Sequence, residues 1–205
     1  FGTGLSTGNE NNTIEYCNIS HAGTDSNRPN FTIYSSTGTA ITNSNNSISN
    51  NNIYDFFRPN SGTGNCIYLT SYNNDGWTIS GNSFYETTSF NETSSANYSV
   101  IRIDNNSGAT ITNNYIGGSG PNCNGTWSKG SGTNIYSTFK GIYVFGTSTA
   151  SSINGNTIKN FSWTDTGTGA VSTWRAIEIG SGTVNIGDIA GNIIGSVNPS
   201  ESESI

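Results

Sequence analysis

The phrase Ile-x-x-Asn-x-Ile returns through this chain at a nearly regular interval, and that return constrains the fold more than any other feature. It reads Ile48/Asn51/Ile53, Ile79/Asn82/Phe84, Ile111/Asn114/Ile116, Ile153/Asn156/Ile158 and Ile189/Asn192/Ile194, with a first copy, Ile14/Cys17/Ile19, that has cysteine at its centre. Successive centres lie 34, 31, 32, 42 and 36 residues apart. No helical period fits apolar residues spaced this way among Asn, Thr and Gly. A phrase recurring at this interval is the signature of a solenoid, whose units are too small to bury an apolar face alone and gain a core by stacking.

A second phrase precedes each Asn: "FTIY" (31–34), "CIYL" (66–69), "VIRI" (100–103), "GIYV" (141–144) and "AIEI" (176–179). Alternation of this kind marks a strand with one buried face. It predicts Phe31/Ile33, Ile67/Leu69, Ile101/Ile103, Ile142/Val144 and Ile177/Ile179 pointing inward. The Asn phrase adds two shorter strands bent about its centre, ending on Ala22, Phe56, Phe161 and Val197 in four units and on polar Thr87 and Ser119 in two. At an inward bend a carboxamide can accept from one coil and donate to the next. Cys17, Asn51, Asn82, Asn114, Asn156 and Asn192 are therefore expected to form a ladder of stacked rungs. Asn also tolerates the left-handed backbone that a bend requires. The expected fold is all-β, about six coils forming one segment over residues 1–205, with a loop insertion at 117–139.

Composition narrows the function. Charged residues are 10% of the chain, against about 25% in ordinary soluble domains. The net charge is −6 and the 7 basic residues are scattered, which argues against nucleic acid as a partner. A low apolar content of 31% leans towards disorder, but 11% aromatic residues favours order. No apolar run approaches the roughly 18 residues of a membrane span. The chain has no methionine and its tail reads "SVNPSESESI", so it is expected to be a piece of a longer repeat protein, flanked by further repeats. Cys17, Cys66 and Cys123 are odd in number and lack C-x-x-C spacing, which excludes zinc and thioredoxin-like sites and leaves any pairing open.

The chain resembles a right-handed parallel β-helix with the Asn-x-Ile coil repeats of secreted bacterial proteins. "ISGNSF" (79–84), "INGNTI" (153–158), "FKGIYVFG" (139–146) and "WRAIEIGSGTVNIGDIAGNIIGS" (174–196) are similar to the repeats of large bacterial surface adhesins exported by type IX secretion. The resemblance implies an extracellular location and surface glycans or cell-surface proteins as partners. It is weakly specific for function, because the same coil serves lyases, hydrolases, tailspikes and adhesins.

The outer face of the alternating strand is where a β-helix would carry chemistry. One outward column reads Thr32, Tyr68, Arg102, Tyr143, Glu178 and the next Tyr34, Thr70, Asp104, Phe145, Gly180. With rungs roughly 4.8 Å apart, Arg102 is expected between the Tyr68 and Tyr143 rings, with Asp104 beside it. The strip reads either as a sugar-stacking surface or as a ladder that satisfies itself. A glycosidase would need clustered carboxylates; this face offers only Asp104 and Glu178. His21 has no Ser or Cys partner at a matching spacing, and "NNDGW" (73–77) reads as a turn. A column of Thr13, Ser47, Thr78, Thr110, Ser152 and Asp188 raises ice binding, which generally needs two such columns. The 117–139 insert carries Trp127, Lys129 and Tyr136 amid glycine, which makes it the expected partner-binding loop.

The expectation is a non-enzymatic stalk or adhesive segment of a secreted surface protein, with no catalytic residue, metal or cofactor. The alternative is part of a carbohydrate-active β-helix enzyme or a tailspike-like glycan binder.

Overall fold

The computed structural model describes residues 8–21, 28–36, 41–60, 62–70, 74–106, 108–146, 149–165 and 172–195. These form a parallel β-helix of about five turns, with a short 3-10 turn at Pro121–Cys123. Six coils were expected; the six Asn-phrase corners enclose five intervals, which gives the smaller number. Ala22, Asn73 and Val197 lie outside the described residues.

Two six-stranded sheets flank the repeated Asn. Before it run Thr13–Glu15, Ser47–Ser49, Thr78–Ser80, Thr110–Thr112, Ser151–Asn154 and Val184–Ile186. After it run Asn18–Ser20, Asn52–Tyr54, Ser83–Tyr85, Tyr115–Ile116, Thr157–Ile158 and Ile193–Ile194. The register stacks like on like: Ile14, Ile48, Ile79, Ile111 and Ile153 in one column, and Ile19, Ile53, Phe84, Ile116, Ile158 and Ile194 in the other. Ile48, Ile79, Ile111 and Ile153 have no exposed surface, and each contributes roughly 1.5–3 kcal/mol by leaving water.

Between the sheets the carboxamides join. Asn51 Nδ2 donates to Asn82 Oδ1 at 2.9 Å, Asn82 Nδ2 to Asn114 Oδ1 at 3.0 Å, Asn114 Nδ2 to Asn156 Oδ1 at 3.0 Å, and Asn156 Nδ2 to Asn192 Oδ1 at 2.9 Å. Each of these oxygens also accepts the backbone N–H of the preceding Asn. At the exposed first rung the Cys17 N–H donates to Asn51 Oδ1 at 2.9 Å, while the Cys17 thiol turns to the carbonyl of Glu15. The left-handed backbone was expected at the ladder residue but belongs to the one before it: Tyr16, Asn50, Gly81, Asn113 and Gly155 have φ of 53°, 56°, 66°, 56° and 65°. The ladder side chain itself is thereby turned inward.

The last turn departs from the expected phrase. Ile153 pairs with Ile186, not Ile189, and Ser152 with Asn185, not Asp188. Gly187, at φ 69°, begins a five-residue bulge that leaves Ile189 84% exposed before Asn192 regains the ladder.

The remaining walls are a five-stranded sheet (Phe31–Ser36, Thr63–Thr70, Ala96–Asn106, Ser137–Gly146, Thr173–Ser181) and a three-stranded one (Phe90–Glu92, Trp127–Ser131, Phe161–Trp163). The short sheet corrects the reading of 117–139 as a loop. Trp127–Ser131 is its central strand, and Phe90–Glu92 and Phe161–Trp163, from two other excursions, pair on either side. The excursions stack because each carries an alternating aromatic face that needs a wall. Trp127 and Phe139 have no exposed surface and pack with Phe57, Phe161 and Trp163 at centroid distances of 4.9–6.2 Å. Cys17, Cys66 and Cys123 form no disulfide, and Cys66 and Cys123 are buried; burial pushes the Cys66 thiol well above its ordinary value.

Candidate functional site

The five-stranded sheet is creased along its length. A Cβ on Gly64 would meet the core ring of Tyr98 at 3.1 Å, so position 64 faces inward, as do Cys66, Ile67 and Leu69, all without exposed surface. Two consecutive inward residues, 66 and 67, break the alternation. Outward residues on either side of that crease sit three apart and lean together. Phe31 stacks on Tyr34 (5.0 Å, 22°), Lys140 Nζ lies 4.0 Å from the Tyr143 ring centre, and Arg175 bonds Glu178 at 2.8 Å.

Two outward columns therefore face each other across a groove. One is Phe31, Asn65, Ser99, Lys140, Arg175; the other is Tyr34, Tyr68, Arg102, Tyr143, Glu178. The first strand sits two residues away from its expected register. Phe31, expected inward, pairs with Asn65 and faces out, and Tyr34 replaces Thr32 beside Tyr68. The signal that could have found this is the Ile-Tyr dipeptide shared by 33–34, 67–68 and 142–143. Sequence reasoning consequently missed Phe31, Asn65 and Lys140 as groove residues and set Tyr34 one outward column away.

Arg102 lies between two rings, its guanidinium carbon 4.8 Å from the Tyr68 centroid and 5.6 Å from that of Tyr143. It also grips Asp104 Oδ2 through Nη2 at 2.7 Å and Nε at 2.9 Å, and the Tyr68 hydroxyl donates to the same oxygen at 2.9 Å. Burial pulls the Arg102 pKa down, yet hydrogen bonding and charge from Asp104 raise it on balance. Burial first, then Asp104, raises the pKa of both Tyr68 and Tyr143, so both phenols stay neutral donors. Glu178 is held by Lys140 at 3.2 Å and Arg175 at 2.8 Å. Both outward carboxylates are thus tied to cations. On the groove floor Asn65 is 3% exposed, and its Nδ2 and Oδ1 have no hydrogen-bond partner among the described residues. Phe145 and Tyr34 remain 39% and 41% exposed. Chemically the groove offers aromatic faces with phenolic and guanidinium donors, while the Asn65 carboxamide lies buried beneath them.

The other expected binding residues lie elsewhere. Trp127 has no exposed surface and the Lys129 side chain is fully buried, because both belong to the inward face of the three-stranded sheet. Neither ring nor charge is offered to a partner. Lys129 Nζ lies 2.5 Å from Asp165 Oδ1, 2.8 Å from Glu92 Oε2, 2.9 Å from the Thr164 carbonyl, 3.1 Å from Ser137 Oγ and 5.0 Å from the Trp163 ring centre. Tyr136 is 40% exposed at the start of Ser137–Gly146 and makes no ring contact with the groove among the described residues.

A second buried pair, Arg28 and Glu86, closes the corner beneath Phe56 and Phe57. Arg28 Nη1 bonds Glu86 Oε2 at 2.5 Å, and Glu86 Oε1 accepts the N–H groups of Phe56 and Phe57, each at 2.8 Å. Burial nonetheless pushes the Glu86 carboxyl up to about 7. Nearby, His21, Thr32 and Tyr54 line a cleft of about 200 Å³ in which Asp55 is occupied by the N–H and hydroxyl of Thr87. No group of three or more His, Cys, Asp or Glu among the described residues gathers in a way that could hold a metal ion.

No protein family matches the chain, and no curated protein or solved structure does.

Proposed function

We propose that this chain is a rigid, non-enzymatic segment of a secreted bacterial surface protein, and that the creased five-stranded sheet is its carbohydrate-binding face. The observation that carries the reading is the groove column of Tyr34, Tyr68, Arg102 and Tyr143 on four successive rungs. Rungs repeat at roughly 4.8 Å, so aromatic faces recur along the helix axis, and sugar rings stack on such faces through their C–H surfaces. Arg102 is fixed by Asp104 before any ligand arrives, which spares the ordering cost of a long side chain. The regular face favours a repeating glycan held weakly at several rungs, with affinity gained from arrayed copies on a surface.

A resemblance to exported adhesin repeats supports the location, and the tying of Asp104 and Glu178 to cations supports the non-enzymatic role. The test is a glycan array probed with the wild type and with a Tyr34→Ala/Tyr143→Ala variant of equal melting temperature. Wild-type binding to a defined glycan class that falls at least tenfold in the variant supports the reading. Equal binding by the two proteins, or depolymerisation of a polysaccharide that Glu178→Gln abolishes, overturns it.

A further inference from the structure

We propose that Lys129 and Asp165 condense into an intramolecular isopeptide bond, with Glu92 carrying the proton. The three side chains come from the three neighbouring segments of the short sheet: Glu92 ends one strand, Lys129 lies within the next, and Asp165 follows the third. Nζ is already 2.5 Å from Asp165 Oδ1, so the carboxyl carbon is one C–O bond further on, close to the near-attack separation of about 3–3.5 Å.

Four oxygens converge on an ammonium that has three protons: Asp165 Oδ1, Glu92 Oε2, Ser137 Oγ and the Thr164 carbonyl. Glu92 Oε2 is the one left over, at ion-pair distance but at an angle that makes no hydrogen bond. The Lys129 and Glu92 side chains are fully buried and Asp165 is 14% exposed, among Phe90, Tyr98, Phe139 and Trp163. Burial there also raises the Glu92 pKa against the pull of Lys129. Keeping three charges in so dry a place is costly, which favours a step that removes two of them.

The step balances without any co-reactant. One proton passes from Nζ to the Asp165 carboxylate. The amine lone pair attacks Cγ, and the tetrahedral adduct gives a second proton from nitrogen to Glu92. Glu92 returns it to the departing hydroxyl, the C–O bond breaks, and one water leaves past the partly exposed Asp165. An ammonium and a carboxylate become one amide and one water, and Glu92 ends as it began. The bond would close a loop between residues 129 and 165, tying two successive turns together independently of any glycan.

The experiment is the intact mass of the folded wild type, followed by peptide mapping. The expected mass is lower than that of the sequence by one water, with a branched peptide joining Lys129 to Asp165. Lys129→Arg and Glu92→Gln, each checked for cooperative unfolding, should keep the full mass. A folded wild type that retains its full mass after prolonged incubation overturns the proposal. So does a water loss that maps to Asp75–Gly76, where a succinimide could form. Glu92→Gln protein that reacts as fast as the wild type removes Glu92 from the mechanism.

Discussion

Asn114 Oδ1 takes two hydrogen bonds from a single neighbour: Asn82 gives it both its side-chain Nδ2–H, at 3.0 Å, and its backbone N–H, at 3.1 Å. One oxygen thus satisfies two donors in a turn from which water is excluded. Asn114→Ala strands both and removes the bond that Asn114 Nδ2 gives the Ile79 carbonyl, while Asn156 Oδ1 keeps only the backbone N–H of residue 114. The expected cost is about 1–3 kcal/mol in chemical unfolding. Asn97→Ala, an exposed strand position, is expected to cost a few tenths on the order seen for surface sites. Similar small losses at both would refute the ladder's role in stability.

Gly155 precedes a ladder Asn with φ of +65°, and a Cβ built there would clash with Asn113 Oδ1 of the turn before. Gly155→Ala should therefore lose about 1–2 kcal/mol from left-handed backbone alone, with the clash added. The same substitution at Gly62, where nothing lies closer than 4.0 Å, is the control. Urea midpoints of the two variants decide it.

Trp127 was expected to touch a partner and instead fills the core, 5.2 Å from Phe57 and 5.2 Å from Phe161 by ring centroids. Trp127→Ala is predicted to destabilise by about 3–5 kcal/mol. Thermal unfolding should report that loss, while any glycan binding by the fraction still folded stays at the wild-type level.

Glu86 gives the fold a pH dependence of definite sign. Its folded carboxyl titrates at about 7 against an ordinary 4.5, so between those values the folded state holds a proton that the unfolded state has released. The stability that Glu86 contributes is then fully present below about 4.5 and is lost as pH rises to about 7, by on the order of 3 kcal/mol. Glu92, raised in the same direction, adds slope of the same sign. Glu86→Gln should lower stability overall, since Arg28 loses its buried partner, yet flatten its fall across this window. A denaturation series from pH 4 to 8 with equal slopes for variant and wild type would contradict the assignment.

The solenoid was legible because one turn must repeat the chemistry of the next. Ile48, Ile79, Ile111 and Ile153 occupy one column for that reason, and any phrase so constrained shows up by alignment. The groove was only half legible. Tyr68, Arg102 and Tyr143 emerge from alternation, but Phe31 and Tyr34 depend on a crease that puts two adjacent residues inward, and a period of two cannot express that. The short fourth sheet was illegible for another reason. Its three strands, Phe90–Glu92, Trp127–Ser131 and Phe161–Trp163, share aromatic character but no common spelling. Among its side chains Lys129 reads as a surface charge until Glu92 and Asp165, 37 residues before it and 36 after it, are brought alongside.

Every ladder oxygen, from Asn51 to Asn192, faces the turn that precedes it. The stack therefore has a head and a tail, as a polar filament does. Two such stacks laid head to tail would keep that direction, with the Cys17 rung, which carries no carboxamide, as the one break in the chain of amides. Laid tail to tail, they would set one Asn192 amide donor against another. The direction in which this protein can be lengthened is thus written in the orientation of a few single atoms.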